Sequence, residues 1–129
     1  MELKVKVLIV EKERELHNLW SCILNQKKVG VLSAYSIKEA EELFSANPDV
    51  KIVAIGRTSN DYLNTLPLTR VIRQRFKGPM IAVSNIAEDR RKLMETGCNY
   101  ECELRYFLPA VIFEILGFFS EKGGILCSK

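Results

Sequence analysis

Apolar residues in this chain fall into five short runs, and between them apolar and charged positions recur at helical spacing. Val5 to Val10 is broken only by Lys6 and reads as a strand buried on both faces. Leu16, Leu19, Trp20, Ile23 and Leu24 then mark a helix with charges on its outer face. Lys27 and Lys28 stand at the negative end of its dipole. Val29 to Ala34 is the second strand. Ser36 and Glu39 form a capping box, in which each side chain satisfies an orphan backbone donor. The helix it opens turns Ile37, Ala40, Leu43 and Phe44 inward, until Asn47-Pro48-Asp49 stops it.

The third strand runs from Val50 to Ile55 and ends at Gly56, and the polar stretch Arg57 to Asn64 reads as a loop. Thr65 caps a helix that tolerates Pro67 in its first turn, with Leu68, Val71, Ile72 and Phe76 as its apolar stripe. Gly78-Pro79 precedes the fourth strand, Met80 to Val83. Asn85 and Glu88 give a second cap signal for a short charged helix that Gly97 ends. Tyr100 to Leu104 is the weakest strand pattern. The last helix starts near Tyr106 to Pro109 and runs to about Phe119, before Gly123-Gly124.

Strands separated by single helices are βαβ units, which require a parallel sheet covered on both faces. The pattern predicts an α/β fold: a doubly wound, five-stranded, flavodoxin-like sheet of strand order 2-1-3-4-5. In such sheets a site lies beyond the carboxyl ends of the strands. The residues placed there are Glu11 to Glu13, Gly56 and Arg57, Ser84 and Asn85, and Glu103 to Arg105.

With 129 residues the chain makes one domain, expected over residues 1–122 with a short tail at 123–129. A net charge of +3 gives no strong electrostatic claim on nucleic acid or anionic lipid. The N-terminus enters a strand pattern directly, and the apolar stretch from Phe107 to Phe119 is interrupted by Glu114. It also falls short of the ~20 residues of a membrane span. The expectation is a cytoplasmic protein with reduced thiols at Cys22, Cys98, Cys102 and Cys127. Cys98 and Cys102 are spaced as half of a zinc site but have no second pair, so buried thiols are expected. His17, the one histidine, lies away from the Leu16/Trp20/Ile23 stripe of its helix, next to Asn18, and is expected on the surface. No phosphate-cradling glycine loop follows the first strand, which disfavours a nucleotide-binding enzyme.

Lys6-Val7-Leu8-Ile9-Val10-Glu11-Lys12-Glu13 resembles the first strand and acidic turn of the bacterial response-regulator receiver domains. Ala87 to Gly97 resembles that family's fourth helix with its terminating glycine, and Ser84 matches the hydroxyl residue ending its fourth strand. The resemblance covers residues 3–119. It implies a phosphoacceptor aspartate at the end of the third strand, and here Gly56 occupies that position. It implies an acidic pair holding Mg²⁺, where this chain reads Glu11-Lys12. The lysine that the family carries after its fifth strand falls near Leu104, where no lysine stands. Phosphorylation, Mg²⁺ and any cofactor are therefore expected to be absent. Asp49 lies at the wrong end of the sheet, and Asp61 in the following loop is a poor substitute acceptor.

The function implied is that of a non-catalytic pseudo-receiver in two-component signalling, acting through protein–protein contact. The partner is another protein or a second copy, met through the fourth helix, fifth strand and fifth helix, as in many receivers. Leu108, Val111, Ile112, Ile115 and Phe119 form an inward stripe on the last helix. Pro109, Phe113 and Leu116 form a second apolar flank, expected at an interface unless the tail from Gly124 to Cys127 covers it. The alternative is an anion or small-molecule sensor in which Lys12, Arg57 and Ser84 converge on the former phosphorylation site.

Overall fold

The computed structural model describes residues 5–59 and 62–118. The strands are β1 (Val5–Val10), β2 (Val29–Ala34), β3 (Ile52–Ile55), β4 (Met80–Val83) and β5 (Tyr100–Cys102). The helices are α1 (Arg14–Asn25), α2 (Ile37–Ala46), α3 (Leu66–Arg75), α4 (Ala87–Thr96) and α5 (Leu108–Ile115). Single turns of 3-10 helix at Tyr62–Thr65 and Arg105–Phe107 precede α3 and α5. All five strands are parallel in the order β2-β1-β3-β4-β5. This is the expected doubly wound sheet.

Side chains alternate across the pleat, so each strand feeds two cores. Val7 and Ile9 of β1, Ile52 and Ala54 of β3, and Ile81 and Val83 of β4 pack against Leu16, Trp20 and Leu24 of α1 and Leu108 and Ile112 of α5. The intervening residues Leu8, Val10, Val53, Ile55, Met80 and Ala82 pack against Ala40, Leu68, Ile72 and Leu93 of the other three helices. Strands buried on both sides have no polar face to show, which is why they read as continuous apolar runs.

Local signals are realised unevenly. The Ser36 hydroxyl accepts from the Glu39 amide at 3.2 Å, and the Glu39 carboxylate returns to the Tyr35 amide at 2.7 Å. The Asn85 cap does not form: the residue preceding α4 is Ile86, whose amide donates to the Ser84 hydroxyl at 3.0 Å. In α3 the buried positions are Leu68, Thr69 and Ile72, while Val71 is 44% exposed. Thr69 is tolerated inside because its hydroxyl donates to the Thr65 carbonyl at 2.8 Å.

The last helix is rotated from its expected setting. Leu108, Pro109, Ile112 and Phe113 are buried, and Leu116 packs against the same core, so the flank assigned to an interface faces inward. Val111 and Ile115, like Leu116, are only partly buried and pack at the edge of this core. A helix apolar at nearly every position carries no stripe that fixes its rotation, and packing against α1 decides it. Phe119 and the tail from Gly123 lie outside the described residues, as does Asp61.

The rotation of α3 has a measurable consequence. Ile72→Ala should cost about 2–5 kcal/mol in urea unfolding, whereas Val71→Ala should stay within about 1 kcal/mol. Equal losses at the two positions would contradict the packing.

Candidate functional site

The carboxyl ends of β1, β3, β4 and β5 gather the residues of the site. The Gly56 amide donates to the Val10 carbonyl at 2.7 Å, and the Lys12 amide donates to the Arg57 carbonyl at 2.6 Å, so the two loops are stitched together. The Glu11 side chain lies fully buried between them. Its Oε1 accepts from the Arg57 amide at 3.2 Å and its Oε2 from the Glu13 amide at 3.1 Å. A carboxylate removed from water needs such donors, since burial without them is costly.

That carboxylate lies where a side chain at position 56 would go. A Cβ on Gly56 would meet Glu11 Oε1 at 2.7 Å and the Val10 carbonyl oxygen at 2.8 Å. Both distances are below any real contact, and one partner is backbone. Glycine at position 56 therefore suits the buried glutamate, which would have to shift to admit a side chain there.

Two guanidinium groups complete the arrangement. Arg57 Nη2 pairs with Glu13 Oε2 at 3.2 Å, and Arg105 Nη1 approaches Glu13 Oε2 at 3.4 Å and Glu11 Oε2 at 3.9 Å. Burial pushes the Glu11 carboxyl above its ordinary value, opposed by the amides of Arg57 and Glu13 and by Arg105. Arg105 supplies a cation just beyond β5. The residue expected there, Leu104, is instead 51% exposed. A search for positive charge, and not for lysine alone, would have found Arg105 in the sequence.

The residues expected to converge on an anion are otherwise engaged. The Arg57 guanidinium lies on Glu13, and the buried Ser84 hydroxyl contacts the Ile86 amide and carbonyl. The Ser84 carbonyl accepts from Arg90 Nη1 at 2.8 Å, and Arg90 Nε in turn holds Glu101 at 2.9 Å. Lys12 is half-buried between the β1 and β3 loops. No group of three or more His, Cys, Asp or Glu side chains among the described residues is placed to hold a metal ion. Burial pushes the Cys98 and Cys102 thiols up to about 12 and about 11, so both are inert at neutral pH.

His17 overturns the expectation of a surface residue: it is 1% exposed. Its Nε2 lies 2.7 Å from the Glu11 carbonyl oxygen, and its ring makes edge contacts with Trp20 and Tyr35. Three residues later, Trp20 Nε1 donates to the Arg105 carbonyl at 3.0 Å. One face of α1 thus anchors both the β1 loop and the turn after β5. The sequence pattern missed this because it assigned histidine to the polar side, whereas the carbonyl of Glu11 gives the ring a buried acceptor.

Two results should follow. Gly56→Ala should lose about 1–3 kcal/mol by overpacking, and Glu11→Ala should lose stability through the unpaired amides of Arg57 and Glu13. The double variant should be less destabilised than the sum of the two, because removing the carboxylate clears the space. Strict additivity in urea unfolding would refute the steric coupling.

The second concerns pH. Burial holds His17 below its ordinary value of 6.5, the hydrogen bond to Glu11 opposing only in part. A depressed folded value means that the unfolded chain takes up the proton more readily. The stability contributed by neutral His17 is then complete above 6.5 and lost as pH falls through the folded value. Glu11, raised, acts in the opposite sense: its contribution is complete below 4.5 and lost as pH rises through its folded value. Relative to His17→Gln, the wild type should lose stability between about pH 7 and pH 5. Parallel stability curves for the two proteins would exclude a buried neutral imidazole.

No protein-family model matches the sequence, and no curated protein matches it. Solved structures do. A two-component response regulator from Clostridium difficile superposes with a TM-score of 0.73 at 17% identity, covering 92% of this chain and 100% of the other. HP1043, an orphan response regulator of H. pylori, gives 0.73 at 19% identity over 90% of this chain and 99% of its own. The non-phosphorylated receiver domain of HemR from Leptospira biflexa gives 0.68 at 22% identity over 89% and 93%. With the strand order and the two-sided core, these likenesses establish that the chain has the fold of the response-regulator receiver domains.

Proposed function

We propose that this protein is a receiver-fold signalling domain that works through protein–protein contact without aspartyl phosphorylation. The observation that carries the reading is the Glu11 carboxylate, set 2.7 Å from where a Cβ on residue 56 would stand. The position that bears the acceptor in working receivers is thereby emptied of a side chain and filled by a neighbour. Lys12 stands where a second metal carboxylate belongs, and Arg57 and Arg105 neutralise Glu13. A hard divalent cation wants several free oxygen ligands, and this rim offers few.

Output then depends on how much partner is present and how well it fits, since no covalent event shifts the fold between two states. The contact face is the one made by α4, β5 and α5. Tyr100, Leu104, Tyr106 and Phe107 are exposed there, at 41%, 51%, 67% and 61%. Aromatic side chains concentrated on one face are characteristic of protein interfaces.

Intact-mass spectrometry after incubation with acetyl phosphate and Mg²⁺ tests the reading. Wild type should keep its mass. Gly56→Asp should also remain unmodified, because its carboxylate would crowd Glu11. A phosphoryl adduct on the wild type would mean that a working acceptor exists elsewhere, and the proposal would fall.

A further inference from the structure

Between the edge strand β5 and helix α5 lies an open groove of about 400 Å³, lined by Tyr100, Glu101, Val111, Glu114 and Ile115. Two smaller cavities between α2 and α3 measure about 140 and 240 Å³. The floor of the groove is apolar. Val111 and Ile115 are four residues apart and so lie on one side of α5, and Tyr100 lines the groove from the strand. Two glutamates stand on its rim, one of them paired with Arg90. Glu101 and Glu114 line it, and Glu103 is exposed at the end of β5.

The segment that carries this groove differs in charge from the rest of the chain. From Ser84 to Phe118 there are six carboxylates and four cations, a net of −2 in a protein of net +3. The cations are paired, and with them Glu88, Glu95 and Glu101. Arg90 holds Glu101 and the Ser84 carbonyl, Arg91 and Lys92 pair with Glu88 on their own helix, and Arg105 turns toward Glu13. Glu114 makes no ion pair among the described residues.

We infer that this groove receives a cationic amphipathic helix of a partner protein, its apolar stripe on Val111, Ile115 and Tyr100 and its Lys or Arg side chains on Glu114. The inference rests on the interaction-domain reading above and names the chemistry of the partner. A helix laid in a groove buries its apolar anchors and leaves its flanks to the charged rim. A second copy of this chain fits less well. Two-fold symmetry would bring the Glu114 side chains of the two copies toward each other, and like charges across an interface oppose association.

The test uses the full chain and a fluorescein-labelled amphipathic helix of Leu and Lys, with a Leu/Glu peptide of the same pattern as its counterpart. Anisotropy titration should show the Leu/Lys peptide binding at least about tenfold more tightly than the Leu/Glu peptide, with affinity falling as salt rises. Glu114→Lys and Val111→Glu should each weaken binding by about tenfold, while Glu41→Lys on α2 should leave it within about twofold. An equal loss at Glu41 would mean that the peptide reads charge without a site, and would overturn the proposal. So would failure of the Leu/Lys peptide to bind, or equal binding of the Leu/Glu peptide. Sedimentation separates the other occupants. Self-association that Glu114→Lys abolishes would assign the groove to a second copy, and peptide affinity that rises on removal of residues 119–129 would assign it to the chain's own tail. In either case the phosphorylation-independent reading stands or falls separately, on the acetyl phosphate experiment.

Discussion

The buried Glu11 carboxylate controls the geometry of the whole upper end of the sheet. Its two oxygens accept the amides of Arg57 and Glu13, which fixes the β3 loop against the β1 loop. It stands where a Cβ at position 56 would go, which suits the glycine that follows the third strand. It draws Arg105 from beyond β5 toward the same point. A buried anion is expensive unless its partners are in place, so the loops around it have little freedom to rearrange.

Helix α1 supports that arrangement from the side. His17 and Trp20 lie three residues apart and therefore on one face, each aimed at a backbone carbonyl at the end of a strand. The first carbonyl belongs to Glu11 and the second to Arg105. The residues that hold the carboxylate and its distant cation are thus referred to one rigid element. The same anchor reaches the start of α5, since the turn at Arg105 leads directly into Phe107 and that helix. A groove presented by a fixed scaffold loses less conformational entropy on binding than one that must order itself.

Legibility in the sequence followed the strength of the local signal. The five strands could be read because runs such as Val7-Leu8-Ile9-Val10 admit no helical stripe and no exposed face. The Ser36 and Glu39 cap could be read because its chemistry is entirely local, whereas the Asn85 signal failed when Ser84 met the same need from one residue earlier. Helix α5 could not be oriented, because Pro109, Val111, Ile112, Phe113 and Ile115 are all apolar and only the surface of α1 distinguishes among them. His17 was misplaced for a related reason. Its acceptor is a carbonyl that periodicity does not reveal.

The sequence by itself determined the alternation of strands and helices, hence the parallel sheet and its order, because pleat and helix periods are properties of neighbouring residues. It also determined that no aspartate stands at the end of β3. What stands there instead was decided only by the tertiary structure. Glu11 and residue 56 compete for one volume because β1 and β3 are adjacent in the sheet, and that adjacency brings together residues 45 positions apart in the chain. The same holds for Arg105 beside Glu13 and for the two glutamates on the rim of the groove between β5 and α5. Each is a meeting of charges across elements, and distance in space is not encoded by distance along the chain.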